Sequence, residues 1–489
     1  MSLMRGGRPA ARMRIDPTRL PEKDLTLITS ARPAVAPDTL REQFTGLVHA
    51  PGDAGYDDAR QAWNLVADQR PALVAEPRTA QDVAAVVRFA TENGLRIAPQ
   101  STGHNAMARG GSMEDSILLN TRLMRGVEID AANRSARVEA GALCGDLTAP
   151  ASDLGLAALG GSSHDVGLVG YVLGGGIGWL ARAFGLCCNS VLSFDVVTGE
   201  GELLHVDADH HPELYWALRG GTGSPAIITH MELRLIAMPE LYAGAMLWPW
   251  ERAGEILHAW REWTLDAPES ATTSARILQI PPFPEIPEML RGRQFVCIDG
   301  AVVGSEAYAR EVLSGLRALE PEIDMFAVAP PAVLSHLHMD PDSPAPGIGG
   351  HAMLEELPAE AIDALVEAAG PGSNSPLLAV ELRHLGGALS RVPANAGARS
   401  RLDAAYILFA VGIPATPELA AAIPGALERV KAVTTAHHAE RVYLNFAEEP
   451  TDVRRAFDDD AFAALQAVKA KYDPRDTIHA NHAIAPAAR

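Results

Sequence analysis

The stretch IAPQSTGHNAMARGG, residues 97–111, holds one imidazole, His104, between Gly103 and Asn105, with Ser101, Thr102 and Ala106 close by. Imidazole is the side chain that serves as nucleophile, base or ligand near neutral pH. A lone histidine after a strand is more often a surface or hydrogen-bonded residue than a chemical one. The glycine-rich setting shifts that balance, because little side-chain bulk keeps a planar ligand away from the backbone.

A second concentration of chemistry is glycine-dense, from 155 to 178: GLAALGGSSHDVGLVGYVLGGGIG, continuing as WLARAFG. Gly176, Gly178 and Ala181 satisfy G-x-G-x-x-G/A, and Asp195 stands near the distance of a ribose-binding acid. A nicotinamide-dependent Rossmann dehydrogenase is therefore one reading. Against it, VGLVGYVL puts two glycines where a Rossmann first strand is a solid β-branched run. Clustered glycines in either case leave backbone N–H groups open to a pyrophosphate.

Further along, PLLAVELRHLGGAL alternates so that Val380, Leu382 and His384 share one face and Glu381 and Arg383 the other. An ion pair between Glu381 and Arg383 is the simplest use of that face. His336, His338 and His351, near Asp340, invite a metal reading, since HLH in a strand puts both imidazoles on one face. A proline-rich connection is the simpler context, and no metal is expected.

The elements that must position these groups follow from local signals. RPALVAE reads as a strand; Thr79 opens the helix TAQDVAAVVRFATENG with a near capping box at Asp82, and Asn93-Gly94 closes it. LRIAP follows as a strand, so the His104 loop is the exit of a β-α-β unit with parallel pairing. GVEIDAANRSARVEAGA and VLSFDVVTGEGELLHVD read as hairpins with Asn, Asp and Gly turns. Four regions emerge: a lead-in tail over 1–55, a first domain over 56–240, a second domain of amphipathic helices and proline loops over 241–435, and a C-terminal segment over 436–489.

The chain has 489 residues and a formal charge of −20. Acidity of that size argues against a nucleic-acid partner, which needs basic faces. The four cysteines are too few and irregular for a disulfide framework, and adjacent Cys187 and Cys188 read as small buried residues. No signal peptide or membrane span is recognised, so a cytoplasmic location is the expectation. No heptads identify an oligomer interface.

RPALVAEPRTAQDVAAVVRFATENGLRIAPQSTGHNA, GSSHDVGLVGYVLGGGIGWLARAFGL, HPELYWALRGGTG, YLNF and KAKYDPRDTIHANHAIAP, in that order from about Trp63 to Pro486, resemble the berberine bridge enzyme-like FAD-linked oxidases of the vanillyl-alcohol oxidase superfamily. The resemblance implies an α+β fold: a two-part PCMH-type FAD-binding domain, plus a substrate domain with an antiparallel sheet covered by helices. It implies FAD joined through the His104 ring nitrogen to the 8α-methyl of the isoalloxazine. It also implies contacts to FAD from Ser101, Thr102, Gly103, Asn105, Ala106, Gly161, Ser163, Asp165, Val166, Gly167, Gly170, Gly174, Gly175, Gly176, Gly178, Ile228 and Asn481.

The chain departs from the family in three places. PQSTGH stands for the usual RGGGH. Ser163 occupies the place of the cysteine that gives some relatives a second tether, so a single link is expected. Ser224, Pro225 and Ala226 alter a turn that contacts the cofactor.

The usual base positions hold Phe446 and, by a weaker match, Ile407, neither of which takes a proton. Glu381, then Tyr443, then His164 are the candidates in their stead, with burial expected to raise the pKa of Glu381. The implied activity is oxidation of a small alcohol, amine or activated C–H by hydride transfer to the flavin, with O2 as acceptor. The alternatives are the Rossmann dehydrogenase and a catalytically decayed flavin-binding protein.

Overall fold

The computed structural model describes residues 36–284 and 286–487; most of the expected tail, residues 1–35, lies outside them. The described chain divides its strands among sheets of different character, and each is explained by what covers its faces.

The first sheet holds β1 (Leu47–His49), β2 (Leu73–Glu76), β3 (Arg96–Gln100) and β4 (Ser116–Asn120) in the order β1-β2-β4-β3. β2 and β3 both run parallel to β4, which lies between them. The connecting helix Ala80–Asn93 has the full capping box: Thr79 Oγ1 accepts from the Asp82 amide, and the Asp82 carboxylate accepts from the Thr79 amide. Gly94 ends it in the left-handed conformation, φ +62°. Val83, Val86, Val87 and Ala90 are fully buried, as their helical spacing requires.

The second sheet is antiparallel, in the order β5 (Val127–Asp130), β6 (Ser135–Glu139), β10 (Ala226–Arg234), β8 (Val191–Thr198), β9 (Leu203–Val206). Two-residue β7 (Leu156–Ala157) and β11 (Ile236–Ala237) pair beside it. This arrangement removes the Rossmann reading. The strand after the glycines, β8, is antiparallel to its neighbours, and Asp195 on it is bound to Arg137 at 2.5 Å and His205 at 2.7 Å. GIGWLA leads into a four-residue helix, Ala181–Phe184, too short to present a dipole to a dinucleotide.

From Leu241 the chain builds an eight-stranded antiparallel sheet: β12 (Leu241–Pro249), β13 (Ala271–Gln279), β14 (Gln294–Val302), β15 (Ile323–Asp324), β16 (Ala327–Ala329), β17 (Ile348–Leu354), β18 (Ala379–His384) and β19 (Tyr406–Gly412). The order is β15-β12-β14-β13-β18-β19-β17, with β16 also on β12. One face is apolar: Ala275, Val296, Ile298, Ala352, Leu354, Val380, Leu382, Leu408 and Ala410 pack on Ile256, Leu257, Trp260, Ile362, Leu365, Ile423 and Leu427 of three helices. Each large side chain so buried is worth about 1.5–3 kcal/mol. The other face carries Ser274, Arg276, Asp299, Glu381 and Arg383, all buried, on adjacent registers of β13, β14 and β18.

The C-terminal residues return to the first sheet. Ile478 lies parallel to Ile97 of β3, with the Ile97 amide donating to Thr477 O and the His479 amide to Ile97 O, both at 2.8 Å. A fully buried ammonium fixes this segment: Lys469 Nζ donates to Ile478 O at 2.7 Å and Ser224 O at 3.1 Å and pairs with Asp473 at 2.5 Å. Among the described residues no helix is long and apolar enough to cross a membrane. The four cysteines are buried and free.

Candidate active site

His104 sits four residues beyond β3, and Gly103 before it has φ +82° with Ala62 Cβ 2.9 Å from where its own Cβ would be. No other residue fits there, on backbone and on space alike. The imidazole stacks on the Trp63 indole, centroids 4.2 Å apart and planes 18° from parallel. Thr102 Oγ1 meets Nδ1 at 2.8 Å, and Asp165 Oδ1 stands 3.5 Å from Nε2. Burial would push the Asp165 carboxyl up, but His104, Ser163 and Trp63 hold it down to about 2.

Several of the remaining polar atoms on and beside the loop lack protein hydrogen bonds: Gln100 Nε2, Ser101 Oγ, Asn105 Oδ1 and His482 Nδ1 are buried without one, while His104 Nε2 has only the Asp165 carboxylate at 3.5 Å. Such groups cost roughly 1–3 kcal/mol each when nothing meets them, so four within one loop and its contact mark a place built for a polar ligand. Ser101 itself fills the space where a Gly167 side chain would be, 2.7 Å from that Cβ position. Asn481, Asn105 and His482 are brought together: Asn481 Nδ2 donates to Asn105 O at 2.7 Å, and Asn105 Nδ2 lies 3.2 Å from His482 Nε2.

The glycine segment corrects one expectation. The Gly175 amide is taken by Val172 O at 2.9 Å and the Gly176 amide by the Tyr443 hydroxyl at 3.1 Å, so neither is open to a pyrophosphate. Side chains are excluded because protein fills the space: Gly174 faces Asn445, Gly176 faces Cys187 and Tyr171, and Gly178 faces Gly160 O. Gly161 lies tight against Tyr171, whose ring is 3.2 Å from where a Gly161 Cβ would be, Gly170 is open, Val166 O accepts from the Cys144 amide, and Ile228 pairs with Val196 in β10–β8. Ala106 opens the short 3-10 turn Ala106–Arg109 that ends the His104 loop.

Glu381 lies on the buried polar face of the large sheet. Arg383 Nε donates to Glu381 Oε1 at 2.7 Å, His338 Nε2 is 3.5 Å from Glu381 Oε2, and His338 Nδ1 is 2.9 Å from Asp299 Oδ2, which also binds Arg276. The expected upward shift is reversed: burial pushes the Glu381 carboxyl up, but Arg383 and His338 outweigh it and lower it. The Arg383 guanidinium lies 5.3 Å from the ring centres of both Trp179 and Phe446. Trp179 in turn meets His338 edge-on at 4.9 Å. Ile407 is fully buried among apolar side chains.

Tyr443 is buried to 1 %, and its hydroxyl accepts from Gly176 N and Asn445 Nδ2, both at 3.1 Å. Burial raises its pKa, so the phenol stays protonated and anchors the glycine turn. His164 lies elsewhere. Its ring stacks on His336 at 4.8 Å, in a groove lined also by Leu143, Thr148 and Val333, with Asp342 at 3.6 Å. HLH is not a strand: a 3-10 turn, Pro331–His336, sends His336 to that groove and His338 to the Asp299 network, while His351 lies on β17.

Sequence reasoning passed over Trp63, Trp179, Asp299 and Glu448. Glu448 lies against Gly349, which Phe409 also flanks, and Phe409 in turn packs against Phe446. Burial pushes the Glu448 carboxyl up to about 7. Its signal was its position two residues after Phe446 in YLNFAE.

The FAD binding domain family matches residues 71–207. The (R)-6-hydroxynicotine oxidase of Paenarthrobacter nicotinovorans is 38% identical over 205 residues, 42% of this chain and 44% of that protein, so the match spans less than half of the relative's length. The crystal structure of 6-hydroxy-D-nicotine oxidase from Arthrobacter nicotinovorans superposes with TM-score 0.77 and 26% identity over 91% of this chain and 98% of that one. Physcomitrella patens BBE-like 1 shares the fold, with TM-score 0.79 and 20% identity over 93% of this chain and 100% of that one. With the FAD binding domain family matched over residues 71–207 and the fold shared over 91% of the chain with the nicotine oxidase, the chain is similar in sequence and fold to the berberine bridge enzyme-like FAD-linked oxidases of the vanillyl-alcohol oxidase superfamily.

Proposed function

We propose that the chain oxidises a small organic substrate, an alcohol, an amine or an activated C–H compound, with FAD held covalently through His104 and O2 as the final acceptor. The observation that carries this is the set of four buried polar atoms without protein hydrogen bonds on and beside the loop that presents His104. The oxidase name of the 38% identical relative supports the reaction class. When bound, FAD supplies the two-electron acceptor.

The chain's own residues do the rest. Gln100, Ser101, Asn105 and His482 offer donors and acceptors to the cofactor, and Trp63 fixes the imidazole plane. The polar face of the large sheet offers a substrate two aromatic rings, Trp179 and Phe446, and one charged edge, Arg383 with Glu381. Glu381, ionised near neutral pH, is the first choice to take the substrate proton. Release of Arg383 toward a substrate is the event that raises its basicity. Glu448 is the second choice, because its carboxyl near 7 is matched to proton transfer at neutral pH. Tyr443 and His164 rank below both: one is spent on the glycine turn, the other is turned into the His336 groove.

The test is direct. Protein denatured in acid and freed of small molecules should stay yellow, and His104→Ala should lose that colour. Anaerobic reduction by substrate followed by air should return the oxidised spectrum. Colourless protein that binds NAD would refute the reading, and a yellow protein that no substrate panel reduces would favour the decayed binding module.

A further inference from the structure

His104 belongs to a cluster drawn from three separate segments. Trp63 precedes the first parallel strand, His104 follows β3, and Ser163 and Asp165 come from the glycine-dense segment. The Asp165 carboxylate is fully committed to this cluster: Trp63 Nε1 donates to Oδ2 at 2.5 Å, Ser163 Oγ donates to Oδ1 at 2.8 Å, and His104 Nε2 lies 3.5 Å from Oδ1. The carboxylate side chain is 12% exposed. Burial of that degree is costly for a charge unless donors offset it, and here the donors are the indole stacked on the imidazole and the hydroxyl that stands where relatives carry a second tether. Thr102 Oγ1 holds the other ring nitrogen at 2.8 Å. The imidazole is thus fixed in plane, rotamer and electrostatic surroundings before any bond forms.

We propose that Asp165 is the positioning residue for attachment of the cofactor: it orients His104 and balances the positive charge that develops on the imidazole as the bond forms, while Ser163 orients Asp165. This rests on the covalent link proposed above. In that step a C–H bond of the flavin 8-methyl breaks and a C–N bond to the imidazole forms. The methyl hydrogen and the imidazole N–H hydrogen leave as protons, and two electrons stay on the flavin. Dioxygen then removes the electrons with two protons as hydrogen peroxide. A carboxylate at the ring is the group this balance calls for, because the imidazole passes through a cationic form between bond formation and proton loss.

The test uses protein as expressed. Total FAD per chain is read from absorbance after denaturation, and the covalent share from in-gel fluorescence after denaturing electrophoresis. Asp165→Asn keeps an acceptor for Trp63 but removes the charge. It should retain total FAD per chain while the covalent share falls at least tenfold. Asp165→Glu should recover part of that share, and Ser163→Ala should give an intermediate value. A wild-type covalent share in Asp165→Asn would overturn the proposal, as would loss of all bound FAD in both Asp165→Asn and Asp165→Glu, which would make the role one of folding. Wild-type protein with FAD bound but none covalent would overturn the link itself, and this proposal with it.

Discussion

Replacing Glu448 by glutamine should flatten part of the pH dependence of stability. The carboxyl is pushed from 4.5 to about 7 by burial, with only the Gly349 backbone hydrogen bond opposing. An acid whose folded pKa is raised contributes stability that is fully present below the unfolded value and is lost as pH rises through the folded value. Between pH 4.5 and about 7 the unfolded chain has released this proton and the folded one has not, so stability falls with rising pH across that window and is level above it. Each unit is worth about 1.4 kcal/mol; because Glu448 is only half-buried, about 2 kcal/mol in total is the working figure.

His351, which lines the same cavity of about 340 Å³, acts in the opposite sense. Burial holds it down to about 4, so its contribution is present above 6.5 and is lost as pH falls toward 4. The difference between wild type and Glu448→Gln cancels the His351 contribution. For a chain of this size about 2 kcal/mol corresponds to roughly 2–4 °C in Tm. Thermal denaturation from pH 5 to 8.5, scanned at one rate, should show the variant gaining that much relative to wild type as pH rises. Parallel pH curves for the two proteins would refute the claim that Glu448 is held protonated by its surroundings.

Glu381→Gln should cost about 3–5 kcal/mol in denaturant melts, because Arg383 is left buried without its carboxylate. If Glu381 takes the substrate proton, kcat also falls about 10²-fold or more, a loss that Glu448→Gln does not reproduce. Lys469→Met should destabilise by a similar 3–5 kcal/mol, since Asp473 keeps two backbone donors but loses its cation. The effect should be local to the site as well: hydrogen exchange at amides 477–482 should accelerate, and slow exchange there would refute the role given to Lys469.

The local elements were legible wherever the signal was local. Thr79, Asp82 and Gly94 announced a helix, Asp82 three and Gly94 fifteen residues after Thr79, and that helix has the caps they imply. Alternation in PLLAVELRHL correctly separated Val380 and Leu382 from Glu381 and Arg383. The same reasoning failed for HLH, where Pro330 and Pro331 start a 3-10 turn and period-2 alternation does not apply. The direction of the Glu381 shift was illegible for a different reason. It depends on His338 as well as Arg383, and His338 is 43 positions away in sequence. Glycine function was misread at Gly175 and Gly176, because sequence shows that a side chain is absent but not whether a ligand or Tyr171, Cys187 and Tyr443 use the space.

The two faces of the large sheet bear on what the Asp299–His338–Glu381–Arg383 network is for. Buried ion pairs rarely beat well-packed apolar side chains in stability, since each ion gives up several kcal/mol of hydration. The same strands show that an apolar solution was available: on their other face Ala275, Ile298 and Leu382 pack against helices without a charge among them. Stability alone therefore does not account for placing two arginines, two carboxylates and a histidine on the face that meets Trp179 and Phe446. Every charged member has a partner of opposite charge inside the network, yet Arg276 Nε is buried without a hydrogen bond. A network held this close to balance changes when one more charged or polar group arrives at Arg383, because that guanidinium does the most to hold the Glu381 carboxyl low, with His338 and Arg276 adding to it. The buried polar face is thus a site whose proton affinity is set by contact at its edge, a property that the apolar face of the same sheet cannot have.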